Sequence, residues 1–194
     1  MKSTLYLKFA LLYIVFGFLS LFTTSILGQQ LLLNQLENNA SQSLYKEANV
    51  MATTYLPSYF SNNMTSWSVH SQLSAMKIYL EATLWFVEED GTLITSSNLG
   101  TATAPAMIED FDPAEIGNSQ YIVGRYHGYF DEDVITIMAP VIQGFQTEGY
   151  LLIHKPVSTL EETCNQLMTT VHIILGAVYV LAFLILIGFH FFVF

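Results

Sequence analysis

Leu84-Trp85-Phe86-Val87-Glu88-Glu89-Asp90-Gly91-Thr92-Leu93-Ile94-Thr95 reads as two short apolar runs on either side of an acidic Asp-Gly turn. Asp-Gly between apolar runs is the strongest short hairpin signal, because both central residues of the favoured turn need positive φ. The stretch therefore predicts an antiparallel strand pair. Three more strands are expected downstream, at about residues 121–126, 134–140 and 148–154, joined by Asp131-Glu132-Asp133 and by residues 144–147. Residues 98–110, with Gly100 and Pro105, read as a loop. Asp112-Pro113-Ala114-Glu115-Ile116-Gly117 predicts one helical turn, with Asp as N-cap, Pro pre-set for the first position and Gly as the left-handed exit.

Upstream the period changes. Leu33, Leu36, Ala40, Leu44, Ala48, Met51 and Tyr55 recur at close to the helical spacing, so a long helix is expected from Gly28 to Pro57. Proline excludes the residue before it from helical geometry and should end that helix. Residues 58–66 are polar and read as a loop. A second helix is expected at about residues 68–80, with Val69, Leu73, Met76 and Leu80 on one face. Ser158-Thr159-Leu160-Glu161 fits a capping box and should start a last helix that runs through Cys164. Helices feeding an antiparallel sheet make the fold class α+β.

The ends of the chain are of another kind. Of 194 residues, 52% are hydrophobic and 11% charged, under half the charged share of an ordinary soluble domain, about 25%. Mean hydropathy is +0.43. Residues 9–27 and 171–194 hold no charge at all, and 19 helical residues span about 28 Å, the thickness of a bilayer's hydrocarbon core. This excludes an ordinary soluble protein, and also a many-span channel. With 6 basic residues against 16 acidic ones, nucleic acid is excluded as a partner.

The expected organisation is a cytoplasmic N-terminus (1–8), a first span (9–27), a central domain (28–170) and a second span (171–194). All the acids lie in the central domain, against Lys46, Lys77, Arg125 and Lys155, while Lys2 and Lys8 precede the first span. Basic residues are retained inside, so the N-terminus should be cytoplasmic and the acidic domain outside. The single cysteine, Cys164, cannot form an intramolecular disulfide, which points to a bacterial cell membrane rather than a eukaryotic secretory route.

The run from Leu84 to Ser97 resembles the central hairpin of PAS-like extracytoplasmic sensor domains of the Cache or PDC type. Ile135-Thr-Ile-Met-Ala-Pro-Val-Ile142 and Glu148-Gly-Tyr-Leu-Leu-Ile-His-Lys-Pro156 resemble their closing strand pair, and Ser158 to Glu162 their juxtamembrane helix. The resemblance implies a PAS-like antiparallel sheet with a long N-terminal helix. It further implies the input module of a bacterial two-component sensor histidine kinase, a homodimer in the lipid bilayer that reads a small molecule, ion or peptide. In such a kinase, ATP and the response regulator belong to a core beyond the second span, and the apolar ending at Phe194 is expected to reflect truncation before it. Alternatives are the sensor of a chemoreceptor or cyclic-dinucleotide cyclase, and a standalone membrane-anchored binding protein.

No catalytic constellation stands out, and no cofactor is expected within the chain except a divalent cation. Asp131, Glu132 and Asp133 are the candidate cation ligands, since oxygen-rich clusters suit Ca²⁺ or Mg²⁺; solvated turn residues are the alternative. Arg125, the only arginine, is expected in a strand beside Tyr121, Tyr126 and His127. A planar guanidinium suits carboxylates and aromatic rings wall small-molecule pockets, so these four form the candidate ligand site. An exposed arginine paired with an acid is the alternative. His70, His127 and His154 lack ligand spacing and read as surface residues or pH sensors. His172 and His190 read as residues at the ends of the second span.

Overall fold

The structure is a computed structural model that describes residues 2–98, 105–116 and 121–193. The chain forms two compact units, one of residues 1–36 with 161–194 and one of residues 37–160.

In the first unit, α1 (Lys2–Thr23) and the helix α5 (Val157–Val193) carry windows long and apolar enough to cross a membrane. Phe9, Leu12, Phe16, Leu19 and Phe22 on α1, and Ile173, Leu181 and Ile185 on α5, are exposed, as side chains that face lipid would be. Between α1 and α2 (Gln29–Thr54) the helix widens into a π-helical segment, Thr24–Gly28. Within this unit the two helices touch through polar groups. The Tyr13 hydroxyl donates to the Tyr179 carbonyl (2.7 Å), Ser25 Oγ lies 2.8 Å from His172 Nε2, and Cys164 Sγ donates to the Gln29 carbonyl (3.6 Å). The side chain of His190 lies outside the described residues.

The second unit is an antiparallel sheet packed on helices. Its strands are β1 (Thr83–Glu88), β2 (Leu93–Ser96), β3 (Ile122–Gly124), β4 (Val134–Gln143) and β5 (Gln146–Pro156), in the spatial order β2-β1-β5-β4-β3. Both faces are covered. Leu84, Phe86, Leu151, Ile153, Ile135 and Ile137 lie on the face toward the helices, where Tyr59 and Phe60 of α3 (Pro57–Phe60) pack edge-on against Phe86. Trp85, Val87, Leu152, Val134 and Met138 lie on the other face, covered by Ile108, Ile116 and Tyr126 from the β2–β4 connection. A sheet buried on both sides needs continuous apolar strands rather than alternating ones, which is why those stretches stand out as unbroken runs in the sequence.

The expected α+β class and all five strands are observed. Several local details differ. Of the two turn residues only Gly91 (φ +88°) has positive φ. Gly91 N–H donates to the Glu88 carbonyl (3.1 Å) and Glu88 N–H to the Thr92 carbonyl (2.8 Å), so the loop has three residues with glycine in the left-handed place. The two-residue turn with both φ positive occurs instead at Gly144-Phe145 (+57° and +72°), between the paired Gln143 and Gln146.

Leu56 stays helical (φ −66°, ψ −32°) although Pro57 follows it. Helix α2 ends at Thr54, before Pro57 as expected; the fully buried Leu56 keeps helical geometry all the same, and Pro57 takes the first position of α3. Tyr55, expected on the buried face, is 47% exposed. In α4 (Ser66–Leu80) the N-cap is Thr65, whose side chain accepts from Ser68 N–H.

Asp112 caps a turn: its carboxylate accepts from Ala114 N–H (2.8 Å) and its carbonyl from Glu115 N–H (3.0 Å), and residues 113–116 are turn rather than helix. Its expected exit, Gly117, lies outside the described residues, as does Gly100. Helix α5 starts at Val157, so Ser158 lies inside it rather than capping it; Val157 N–H bonds the Asp133 carbonyl instead (3.0 Å).

Candidate functional site

On the sheet face away from the helices, two strands and the segment between β3 and β4 bring a group of aromatic rings together. Trp85 comes from β1 and His154 from β5; Tyr126, Tyr129 and Phe130 come from the segment between β3 and β4. The Trp85 ring lies 4.4 Å from that of His154, 5.4 Å from Phe130 (stacked) and 5.8 Å from Tyr129, centroid to centroid. Tyr126 sits 4.9 Å from His154 and 6.2 Å from Trp85. Period-2 geometry explains the strand contribution. Trp85 pairs with Leu152, and Thr83 and Thr136 flank His154, so side chains of paired residues share a face.

The polar atoms of this group are sealed from water. Trp85 and His154 are fully buried, and Tyr126 is 4% exposed. His154 Nδ1 meets Thr136 Oγ1 at 2.9 Å. Trp85 Nε1, the Tyr126 hydroxyl and His154 Nε2 have no hydrogen-bond partner among the described residues. Each such orphan costs about 1–3 kcal/mol, and buried polar groups in folded proteins are nearly always paired.

Burial also sets protonation. It pushes His154 down to about 3, so the imidazole is neutral at physiological pH. It also raises the Tyr126 phenol well above its ordinary value, helped by Glu115 and Tyr129, so the phenol stays protonated. The tryptophan offers a donor and the tyrosine both a donor and an acceptor. His154 Nε2 carries whichever of proton or lone pair Thr136 does not engage. Glu115, which bears on Tyr126, is itself paired with His127 outside the rings. The result is a sealed aromatic cluster with three unmet, uncharged hydrogen-bonding atoms.

Of the four residues expected to form a ligand site, only Tyr126 enters this cluster. Tyr121 is half-buried, and Arg125 is exposed and lies outside the strand, at the entry to a 3-10 turn, Tyr126–Gly128. His127 points outward to Glu115, at 3.0 Å. The strand stops at Gly124, and Tyr126 and His127 then adopt positive φ (+20° and +49°).

Asp131, Glu132 and Asp133 are all exposed, and among the described residues no group of three or more His, Cys, Asp or Glu is placed to hold a metal. His154, expected at the surface, is fully buried. Sequence reasoning missed Trp85 and His154 as site residues; the available signal was a histidine inside the apolar run Leu151-Leu152-Ile153.

No family model matches the sequence, and no curated protein matches it. Among solved structures, the chain is similar to the sensor domain of the V. cholerae histidine kinase DctB, with 15% identity and a TM-score of 0.48 over 72% of this chain and 59% of that one. It is similar also to the sensory domain of the Campylobacter jejuni chemoreceptor Tlp3, with 16% identity and a TM-score of 0.40 over 75% and 66%. The ligand-binding domain of Tlp3 in complex with L-valine gives 16% and 0.42 over 77% and 66%. What the chain's own topology shows is an α+β fold, an antiparallel sheet of order β2-β1-β5-β4-β3 with long helices. The chain spans about 59–66% of the length of these structures.

Proposed function

We propose that this chain is the membrane-anchored, extracytoplasmic signal-sensing module of a two-component sensor histidine kinase. It would work as a homodimer and answer to a cytoplasmic response regulator. The carrying observation is the set of three buried, unpartnered polar atoms on Trp85, Tyr126 and His154. They favour a state in which a guest molecule meets them, and that is what a ligand sensor requires.

The connection to the membrane is short. His154 lies two residues before the end of β5 at Pro156, and α5 begins at Val157 and runs 37 residues. A ligand that moves His154 moves the start of the helix that carries the second apolar window. A displacement of α5 of about 1–2 Å is the scale of helix shifts in known switches.

The test is cysteine cross-linking of the protein in membranes, with single cysteines at residues 171–181. A compound that stabilises the protein thermally should change the cross-linking pattern; an unchanged pattern for every stabilising compound would remove the displacement mechanism. The coding sequence downstream of Phe194 chooses the output. A basic linker and a dimerisation helix with a phospho-accepting histidine support the kinase, whereas a chemoreceptor or cyclase domain, or a stop codon, rejects it.

A further inference from the structure

The turn that delivers Tyr126 to the site is held in an unfavourable shape. Tyr126, His127 and Gly128 follow one another at φ +20°, +49° and +75°, a region that side-chain-bearing residues occupy only when their surroundings force them to. Gly128 N–H to the Arg125 carbonyl (2.9 Å), Tyr129 N–H to the Tyr126 carbonyl (3.1 Å) and the exposed His127–Glu115 pair (3.0 Å) hold the turn. The strain yields a poor fit. The Tyr126 ring fills space beside His154 and Trp85, yet its hydroxyl bonds neither of them, and all three polar atoms remain unmet.

We propose that the Tyr126 side chain is a built-in occupant of the sensing site. The ligand is then a small uncharged molecule with a flat apolar body and a hydrogen-bonding edge, which replaces the phenol as the Tyr126–Gly128 turn swings out. This rests on the sensing reading given above. The ligand class follows from the lining. A ring-sized body already sits between aromatic surfaces, so a flat apolar body fits. The groups that line it, the Trp85 indole and the His154 and Phe130 rings, carry no charge, and Glu115, the one carboxylate that bears on Tyr126, is paired with His127 outside the rings, so an ionic ligand would be buried without a free counter-charge, at high cost. A ligand whose polar edge meets the tryptophan N–H and His154 Nε2 gains bonds the phenol does not make, and the turn relaxes as it leaves.

The experiment uses the full chain in lipid nanodiscs with p-cresol, the tyrosine side chain without its backbone, as probe. Binding is read by thermal shift and by Trp85 emission in a Trp67→Phe background, since the chain has two tryptophans. Tyr126→Ala should bind p-cresol at least tenfold more tightly than the parent, and benzoate and tetramethylammonium should bind neither. Equal p-cresol affinity in the two proteins overturns the built-in occupant while leaving a sensing site that responds at Trp85. Silence of Trp85 to every probe in a folded Tyr126→Ala protein overturns both readings. Tight binding of benzoate or tetramethylammonium overturns the uncharged class. Should Tyr126→Ala not fold, Glu115→Gln, which loosens only the exposed latch, carries the test: p-cresol affinity should rise severalfold, and an unchanged affinity rejects the proposal.

Discussion

His154 ties stability to pH. Its ordinary value, 6.5, falls to about 3 in the fold because the ring is fully buried. The unfolded chain therefore binds a proton below about pH 6.5 that the folded chain refuses until about pH 3. Stability linked to this residue is fully present above pH 6.5 and is lost as pH falls through that window, at a limiting slope of about 1.4 kcal/mol per pH unit. Tyr126, the other titratable group against the ring, stays neutral throughout. Urea unfolding at pH 7 and pH 5 should show a fall of about 1–2 kcal/mol in the parent beyond that seen in His154→Phe; equal falls would mean that the imidazole is not sealed. Gly91 makes a second residue-scale prediction. A Cβ there would lie 2.6 Å from Phe111 Cβ, at φ +88°, so Gly91→Ala should cost about 1–3 kcal/mol by thermal or urea unfolding.

At the scale of elements, β5 holds the sheet together because it pairs with both β1 and β4. Gly149 of β5 pairs with Glu88 of β1, and an added Cβ there would run into the Val87 carbonyl oxygen, backbone that cannot move aside cheaply. Gly149→Ala should therefore destabilise by about 2–4 kcal/mol, on the scale of large single-site effects. Gly144→Ala, in open space but at φ +57°, should cost about 1 kcal/mol, the penalty of left-handed backbone alone. A reversed order of the two would contradict the pairing.

This is also the scale at which the sequence was most legible. The runs Leu84 to Val87 and Leu151 to Ile153 announce strands because residues buried on both faces leave no polar positions. The same property hides which residue faces which way. With no alternation to read, the Trp85–His154 face could not be told from the Phe86–Ile153 face. Turns were less legible than strands: Asp112 satisfies the N-cap chemistry, yet residues 113–116 form a turn, because an Asx turn uses the same carboxylate geometry.

At the scale of the molecule, the division into apolar ends and an acidic middle was plain from charge placement alone, and α1 and α5 carry those ends. The site was not legible, because it is assembled from β1, β4, β5 and one turn that are up to 69 positions apart in the chain, from Trp85 to His154. Arg125, by contrast, drew notice as the only arginine and proves to be exposed. The Tyr13–Tyr179 contact joins α1, and the Ser25–His172 contact the π-helical segment after it, to α5 through polar groups in the apolar unit, where such pairs are worth about 0.6–2 kcal/mol. Ser25→Val should loosen them by an amount in that range, read as a lower thermal midpoint in nanodiscs; no change would show that the contact carries no net stability.

The most direct measurement follows the Trp85 indole N–H in the full chain, labelled with ¹⁵N-tryptophan and held in nanodiscs. Only Trp67 and Trp85 contribute, and Trp67 is 72% exposed, so the two resonances separate. A compound that raises the thermal midpoint should shift the Trp85 resonance and leave Trp67 unmoved. Stabilising compounds that move Trp67 alone, or neither, would contradict a sensing site on this face of the sheet.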